Sequence, residues 1–235
     1  MNPVLLDNNT HRDLRVVTTR GAAWGDDQMA VPVFLAEFRN VQAHYPIVFQ
    51  QADTGPGLQP VALLGLRPDE NLFLEPHGWD AHYIPLVLDR GPFMIGRGNG
   101  ELVIHVDMDS PRIGRGEGEA VFMPQGSPTE YTERVNSVLA ALHHGVETMP
   151  AFVAALLRHE LLEPFVLNVA AADGSNNRLV GFQTVNEERL AALDAAALGE
   201  LHAAGYLAAV YMVVASTSHL RDLIERYNRR IARQA

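Results

Sequence analysis

Two sets of residues in this 235-residue chain have the types and spacing that chemistry uses. His105-Val-Asp107 places an imidazole and a carboxylate two residues apart on an expected strand, where the period of two sends both side chains to one face. That is the His-x-Asp half of a facial triad for non-haem Fe(II), which needs one further His from elsewhere in the chain. Arg158 would then hold the carboxylate of a co-substrate such as 2-oxoglutarate. The second set is Asn71, Trp79, His82, Tyr83 and Arg90. Aromatic faces beside a guanidinium suit a planar or carboxylate-bearing small molecule, or a peptide. A structural reading competes with it: Gly78 and Pro85 set backbone angles, Trp79 and Phe93 fill core, and Asn71 satisfies a turn.

Composition removes whole reaction classes. The chain has no Cys and no Lys, its 18 basic residues all being Arg. Thiol nucleophiles, disulfides, iron–sulfur clusters and thiolate zinc sites need the first; Schiff-base chemistry and the phosphate loop of nucleotide hydrolases need the second. A net charge of −10 opposes nonspecific binding to nucleic acid or anionic lipid. No apolar run reaches the roughly 20 residues that span a bilayer, and Met1 to Thr10 lacks the pattern of a signal peptide. The expectation is a cytoplasmic protein with no nucleic-acid partner and no membrane insertion. Other polar clusters read as structural. His143-His144, just before Gly145, suits a helix end, where the dipole stabilises a cation. Ser216 to His219 lacks a nucleophile elbow, Gly96 to Gly100 reads as a hairpin turn, and the C-terminal Arg group reads as a solvated helix end.

The elements that must position these residues are of two kinds. Leu14 to Thr18, Val31 to Phe34, Ile47 to Phe49, Pro60 to Leu66, Glu70 to Leu74, Phe93 to Ile95 and Leu102 to Asp107 have strand composition between turn signals, with a brief helix over Ala36 to His44. At Ser127-Pro-Thr-Glu130 the pattern becomes a capping box, so a helix is expected there. Tyr131, Val135, Val138, Leu139 and Leu142 supply its apolar face and Gly145 its stop. Thr148 and Pro150 open a second helix through Leu162. Phe165 to Ala171 and Arg178 to Val185 flank Asp173 to Asn177 as a hairpin, and Asn186 and Asp194 cap short helices. The apolar run Leu207 to Ala215 reads as a buried helix. Leu220, Leu223, Ile224, Tyr227 and Ile231 stripe a final one. The class is α+β, a β-rich N-terminal half followed by a helix-rich C-terminal half. The chain reads as one domain, 1–235, with sub-lobes 1–126 and 127–235.

The stretch Ala62 to Phe93, with Tyr45-Pro-Ile-Val-Phe49 before it, resembles the bacterial SapC family, named after a gene of a surface-layer locus. Gly65, Asn71, Leu72, Phe73, Gly78, Trp79, Tyr83, Pro85, Arg90, Pro92 and Phe93 carry the likeness, as do Gly181 to Leu190 and Ser216 to Leu223. The resemblance implies a soluble binding or accessory protein linked to surface-layer loci, or to loci with outer-membrane receptors and flavin-dependent tryptophan halogenases. The metal-dependent oxygenase is the alternative, and a homodimer through Leu207 to Ala215 and the final helix is a third expectation. Two departures stand out: Asp89 and Gly91 occupy positions where the family pattern has Arg and an aromatic. If the Arg pair binds an anion in relatives, Asp89 would repel it.

Overall fold

The computed structural model describes residues 1–52, 57–98, 101–114, 116–170 and 176–234. It is 38% helix and 27% strand, the α+β class expected. In chain order the elements are β1 (Pro3–Leu5), β2 (Arg15–Val16), β3 (Ala30–Pro32), α1 (Phe38–Val41), β4 (Ile47–Gln51), β5 (Leu58–Leu63), β6 (Leu74–Glu75), β7 (Gly78–Trp79), α2 (Leu86–Asp89), β8 (Phe93–Gly98), β9 (Glu101–Asp107), β10 (Ile113–Gly114), β11 (Glu119–Ala120) and α3 (Glu130–Arg158). Then follow β12 (Leu162–Ala170), β13 (Asn176–Val185), α4 (Glu187–Ala191), α5 (Ala195–Ala203), α6 (Tyr206–Ser216) and α7 (His219–Gln234). No single described helix is long and apolar enough to cross a membrane.

The chain forms two compact units that interleave in sequence. Unit 1 is Met1–Asp26, Leu74–Asp80 and Leu86–His144; unit 2 is Asp27–Phe73, Ala81–Pro85 and Gly145–Ala235. The last changeover between them, at residues 144 and 145, falls within α3.

Unit 1 holds two three-stranded sheets, ordered β1-β9-β8 and β10-β2-β11, and the β6-β7 hairpin. Phe93 faces Val106 and Ile95 faces Ile104 across the antiparallel β8–β9 pair, so alternate residues make an apolar face. Phe93, Val106, Leu14, Val16 and Val121 pack with Tyr131, Val135 and Leu139 of α3, which is the helix stripe that periodicity predicts. The turn at Asn99 and Gly100 lies outside the described residues, while Gly96 and Gly98 belong to β8. The Gly114 to Gly118 turn is described except at residue 115.

Unit 2 is built on one five-stranded sheet, β12-β13-β4-β5-β3. Phe38 and Phe49 meet Phe152 of α3, at ring-centroid distances of 6.0 and 6.4 Å. α6 is the helix that the run Leu207 to Ala215 suggests, and its fully buried Ser216 accepts a hydrogen bond from the Ile47 amide at 2.9 Å. The β12–β13 hairpin lies where it is expected, although residues 171–175 of its turn fall outside the described residues. Asn186 and Asp194 cap α4 and α5, their Oδ1 atoms accepting from the Arg189 and Ala197 amides.

Five expectations need correction. α3 starts at Glu130, and Thr129, not Ser127, takes the capping role: its Oγ1 accepts from the Thr132 amide at 3.4 Å and donates to the Ala120 carbonyl at 2.7 Å. α3 also runs straight through Gly145 and Pro150 as one 29-residue helix. Gly145 is needed for space, since a Cβ there would lie 2.6 Å from the Phe34 ring. Pro150 lacks the N–H that would bond the Val146 carbonyl, but Val146 is 60% exposed, on the side of the helix that faces solvent. His143 and His144 are therefore in mid-helix and cap nothing. Of the strand expected over Glu70 to Leu74 only Leu74 is extended, in β6; before it the Asn71 Oδ1 takes the Phe73 amide at 2.9 Å and makes an Asx turn. Lastly, two of the C-terminal arginines are docked: Arg226 lies 4.4 Å over the Phe73 ring, and Arg230 donates to the Asn71 carbonyl at 2.8 Å.

Candidate functional site

The five residues of the expected ligand site are divided between the units, Trp79 and Arg90 in unit 1 and Asn71, His82 and Tyr83 in unit 2. Asn71 is buried in its Asx turn. Tyr83 donates its hydroxyl to buried Glu37 at 2.9 Å, and its carbonyl accepts from the Tyr45 hydroxyl. His82 is exposed, with its ring against His44. Trp79 pairs with Leu74 in the β6–β7 hairpin. Arg90 donates to the Phe93 carbonyl at 2.6 Å; burial pulls its pKa below the ordinary value, and the charge of Asp107 offsets part of that. Most of these groups thus have internal partners that the sequence could not specify.

His105 and Asp107 do share β9, opposite Leu5 and Pro3 of β1. Asp107 is held below the usual carboxylate range, first by the Asn2 amide at 2.6 Å and further by the Asp109 amide. Its carboxylate therefore anchors the N-terminal strand. The His105 ring lies over Gly96, where a Cβ would come within 2.3 Å of Nδ1, and that buried nitrogen has no hydrogen-bond partner. Among the described residues, no group of three or more His, Asp or Glu is arranged to hold a metal ion. Arg158 is paired with Glu200.

A different set of residues forms an open groove of about 730 Å³ in unit 1, lined by Arg12, Asp13, Leu14, Arg15, Ala120, Phe122 and Pro124. Local sequence builds it. Asp7 Oδ1 accepts from the Asn9 and Thr10 amides and closes a turn, and the Thr10 amide in particular holds that carboxyl below its ordinary value. Asn8 donates to the Gly126 carbonyl at 2.9 Å and Arg12 to that of Pro124, which fastens this turn to the segment before α3. β2 then pairs with β11, Arg15 opposite Ala120, and buried Leu14 and half-buried Phe122 supply an apolar floor. Arg15 donates to the Gly118 carbonyl at 2.7 Å. Neither Arg12 nor Arg15 makes an ion pair among the described residues, so both guanidinium charges remain for a ligand, with Asp13 beside them. Two cations over an apolar floor suit an organic anion. The clue in the sequence was Arg12 and Arg15 flanking Leu14, but their convergence with Phe122 depends on long-range strand pairing.

The departures at Asp89 and Gly91 also find their reasons here. Asp89 Oδ1 accepts from Arg20 at 2.9 Å, and the same guanidinium donates to the Leu88 carbonyl at 2.8 Å. Asp89 thus fastens α2 instead of facing a ligand. Gly91 follows that helix with φ of 57°, the left-handed conformation in which Gly avoids the Cβ penalty.

A model of the SapC family matches residues 6–223. The chain belongs to the SapC family. The match takes in Arg12, Arg15 and Phe122 of the groove, the Tyr45 to Phe93 segment and the first turn of α7. No curated protein and no solved structure matches this SapC chain.

Proposed function

We propose that this SapC protein is a binding or accessory protein, and that the unit 1 groove takes a small organic anion with an apolar body. The observation that supports it is the pair of guanidiniums, Arg12 and Arg15, over Leu14 and Phe122, in a groove within the roughly 300–1,000 Å³ range of small-molecule sites. Such a site binds a carboxylate by charge-assisted hydrogen bonds and its hydrocarbon part by burial. The family likeness extends the proposal to a cytoplasmic role beside surface-layer or receptor-linked functions. The test is thermal unfolding with a panel of alkyl and aryl carboxylates. Binding to the folded state raises Tm with concentration, and Arg12→Ala with Arg15→Ala removes the rise. The reading is overturned if no carboxylate raises Tm, or if the double variant responds like the parent.

Two other readings follow from specific observations. The Fe(II) oxygenase rests on the shared strand of His105 and Asp107 alone, and it requires iron bound after loading and lost in His105→Ala. Tyr211, 53% exposed on the otherwise uncharged α6, favours the homodimer. Light scattering showing a monomer excludes that.

A further inference from the structure

Within unit 2, the segment Ala81–Pro85 carries two residues that dock it by different chemistry. Tyr83 fixes it with neutral and charge-assisted hydrogen bonds, its carbonyl accepting from Tyr45 and its hydroxyl donating to Glu37. His82 instead lays its ring beside that of His44 in the turn after α1, with centroids 5.9 Å apart and planes inclined by 59°. That contact is tolerable only while at least one ring is neutral. Protonation of both sets two cations side by side in this tilted contact, and imidazole is the side chain whose charge changes in mild acid.

Among the described residues, no carboxylate forms an ion pair with His44. Tyr45 presents an uncharged ring 5.9 Å away. The Glu37 carboxylate is occupied by the Tyr83 hydroxyl and the Phe34 amide. The charged groups acting on His44 are His82 and His219 at the start of α7, and Asp222 pairs with His219 at 3.0 Å. Burial, followed by these two imidazoles, holds the His44 pKa below 6.5. The sign follows: the folded state binds the proton on His44 less readily than the released state does, so acid favours release.

We propose that the His44–His82 contact makes the docking of Ala81–Pro85 acid-labile, a proton-triggered release of this segment from unit 2 while the sheet stays folded. The Tyr83 bonds hold the segment at neutral pH, and the histidine repulsion opposes them as pH falls.

Limited proteolysis within Ala81 to Ile84, corrected for the protease's own pH dependence on an unfolded control peptide, gives the opening constant of this segment on the full chain and tests this. Below pH 6.5 the opening constant is expected to rise by up to about tenfold per pH unit for one coupled proton, while β4 and β5 stay protected. His82→Gln, at an exposed position, is expected to abolish the slope, as is His44→Gln. Opening that is independent of pH in the parent, or an unchanged slope in His82→Gln, overturns the proposal.

Discussion

The guanidinium of Arg112 meets both carboxylate oxygens of Asp26, at 2.7 and 2.6 Å, with the two residues 4% and 2% exposed. Backbone groups hold the pair as well. Arg112 donates to the Val17 and Thr19 carbonyls, and the Gly21 amide donates to Asp26. Removing one partner strands a buried charge, so Asp26→Ala is expected to cost about 3–5 kcal/mol in chemical denaturation. The double change Asp26→Leu with Arg112→Met, which removes both charges, is expected to cost less than the sum of the single changes.

Substitutions at Asp89 and Gly91 test the anchoring and backbone roles of these two residues. Asp89→Arg would set a second guanidinium against Arg20, which is only 11% exposed. It should destabilise unit 1 more than Asp89→Asn does, and Arg20→Glu in the same chain should restore part of the loss. Gly91→Phe should cost about 1–2 kcal/mol from the left-handed backbone alone. An Asp89→Arg variant as stable as its parent would remove the anchoring role given to Asp89.

Gly145→Ala pits helix propensity against space. In an open helix the change gains about 1 kcal/mol. Here the new methyl would meet Phe34, and overpacking of this kind typically costs about 1–3 kcal/mol. Net destabilisation is expected, with the sign reversing in a Phe34→Ala background. Urea midpoints of the four proteins decide it.

Tyr131 has its pKa pushed up to about 12, chiefly because burial penalises the phenolate. The folded state therefore holds this proton more tightly than the unfolded state, whose tyrosines titrate near 10. Its stability contribution is complete below pH 10 and declines as pH rises from 10 towards 12. In ultraviolet titration Tyr131 should ionise late, and Tyr131→Phe should remove that step and flatten the alkaline loss of stability.

The α3 register shows how far local pattern reaches. Tyr131, Val135 and Leu139 announce their helix because 3.6-residue periodicity is a property of the segment itself, as it is for Leu223 and Tyr227 of α7. Gly145 and Pro150 read equally clearly as breakers, and there the reading failed. The Phe34 ring that gives Gly145 its purpose lies over a hundred residues earlier in the chain. The same limit applies to His105 and Asp107: the shared strand was legible, whereas the claim of the Asn2 amide on Asp107 was not.

The sequence by itself determined the α+β class, the family, the caps at Asn186 and Asp194, and the exclusion of thiol and lysine chemistry, because each rests on residue type or short-range spacing. Only the tertiary structure decided that Asp89 fastens α2 through Arg20, that Asn71 and Arg90 fall in different units, and that Arg12 and Arg15 converge with Phe122 over one groove. Those outcomes depend on strand pairing and side-chain packing between residues far apart in the chain, where many partners are compatible with the same local pattern and burial selects among them.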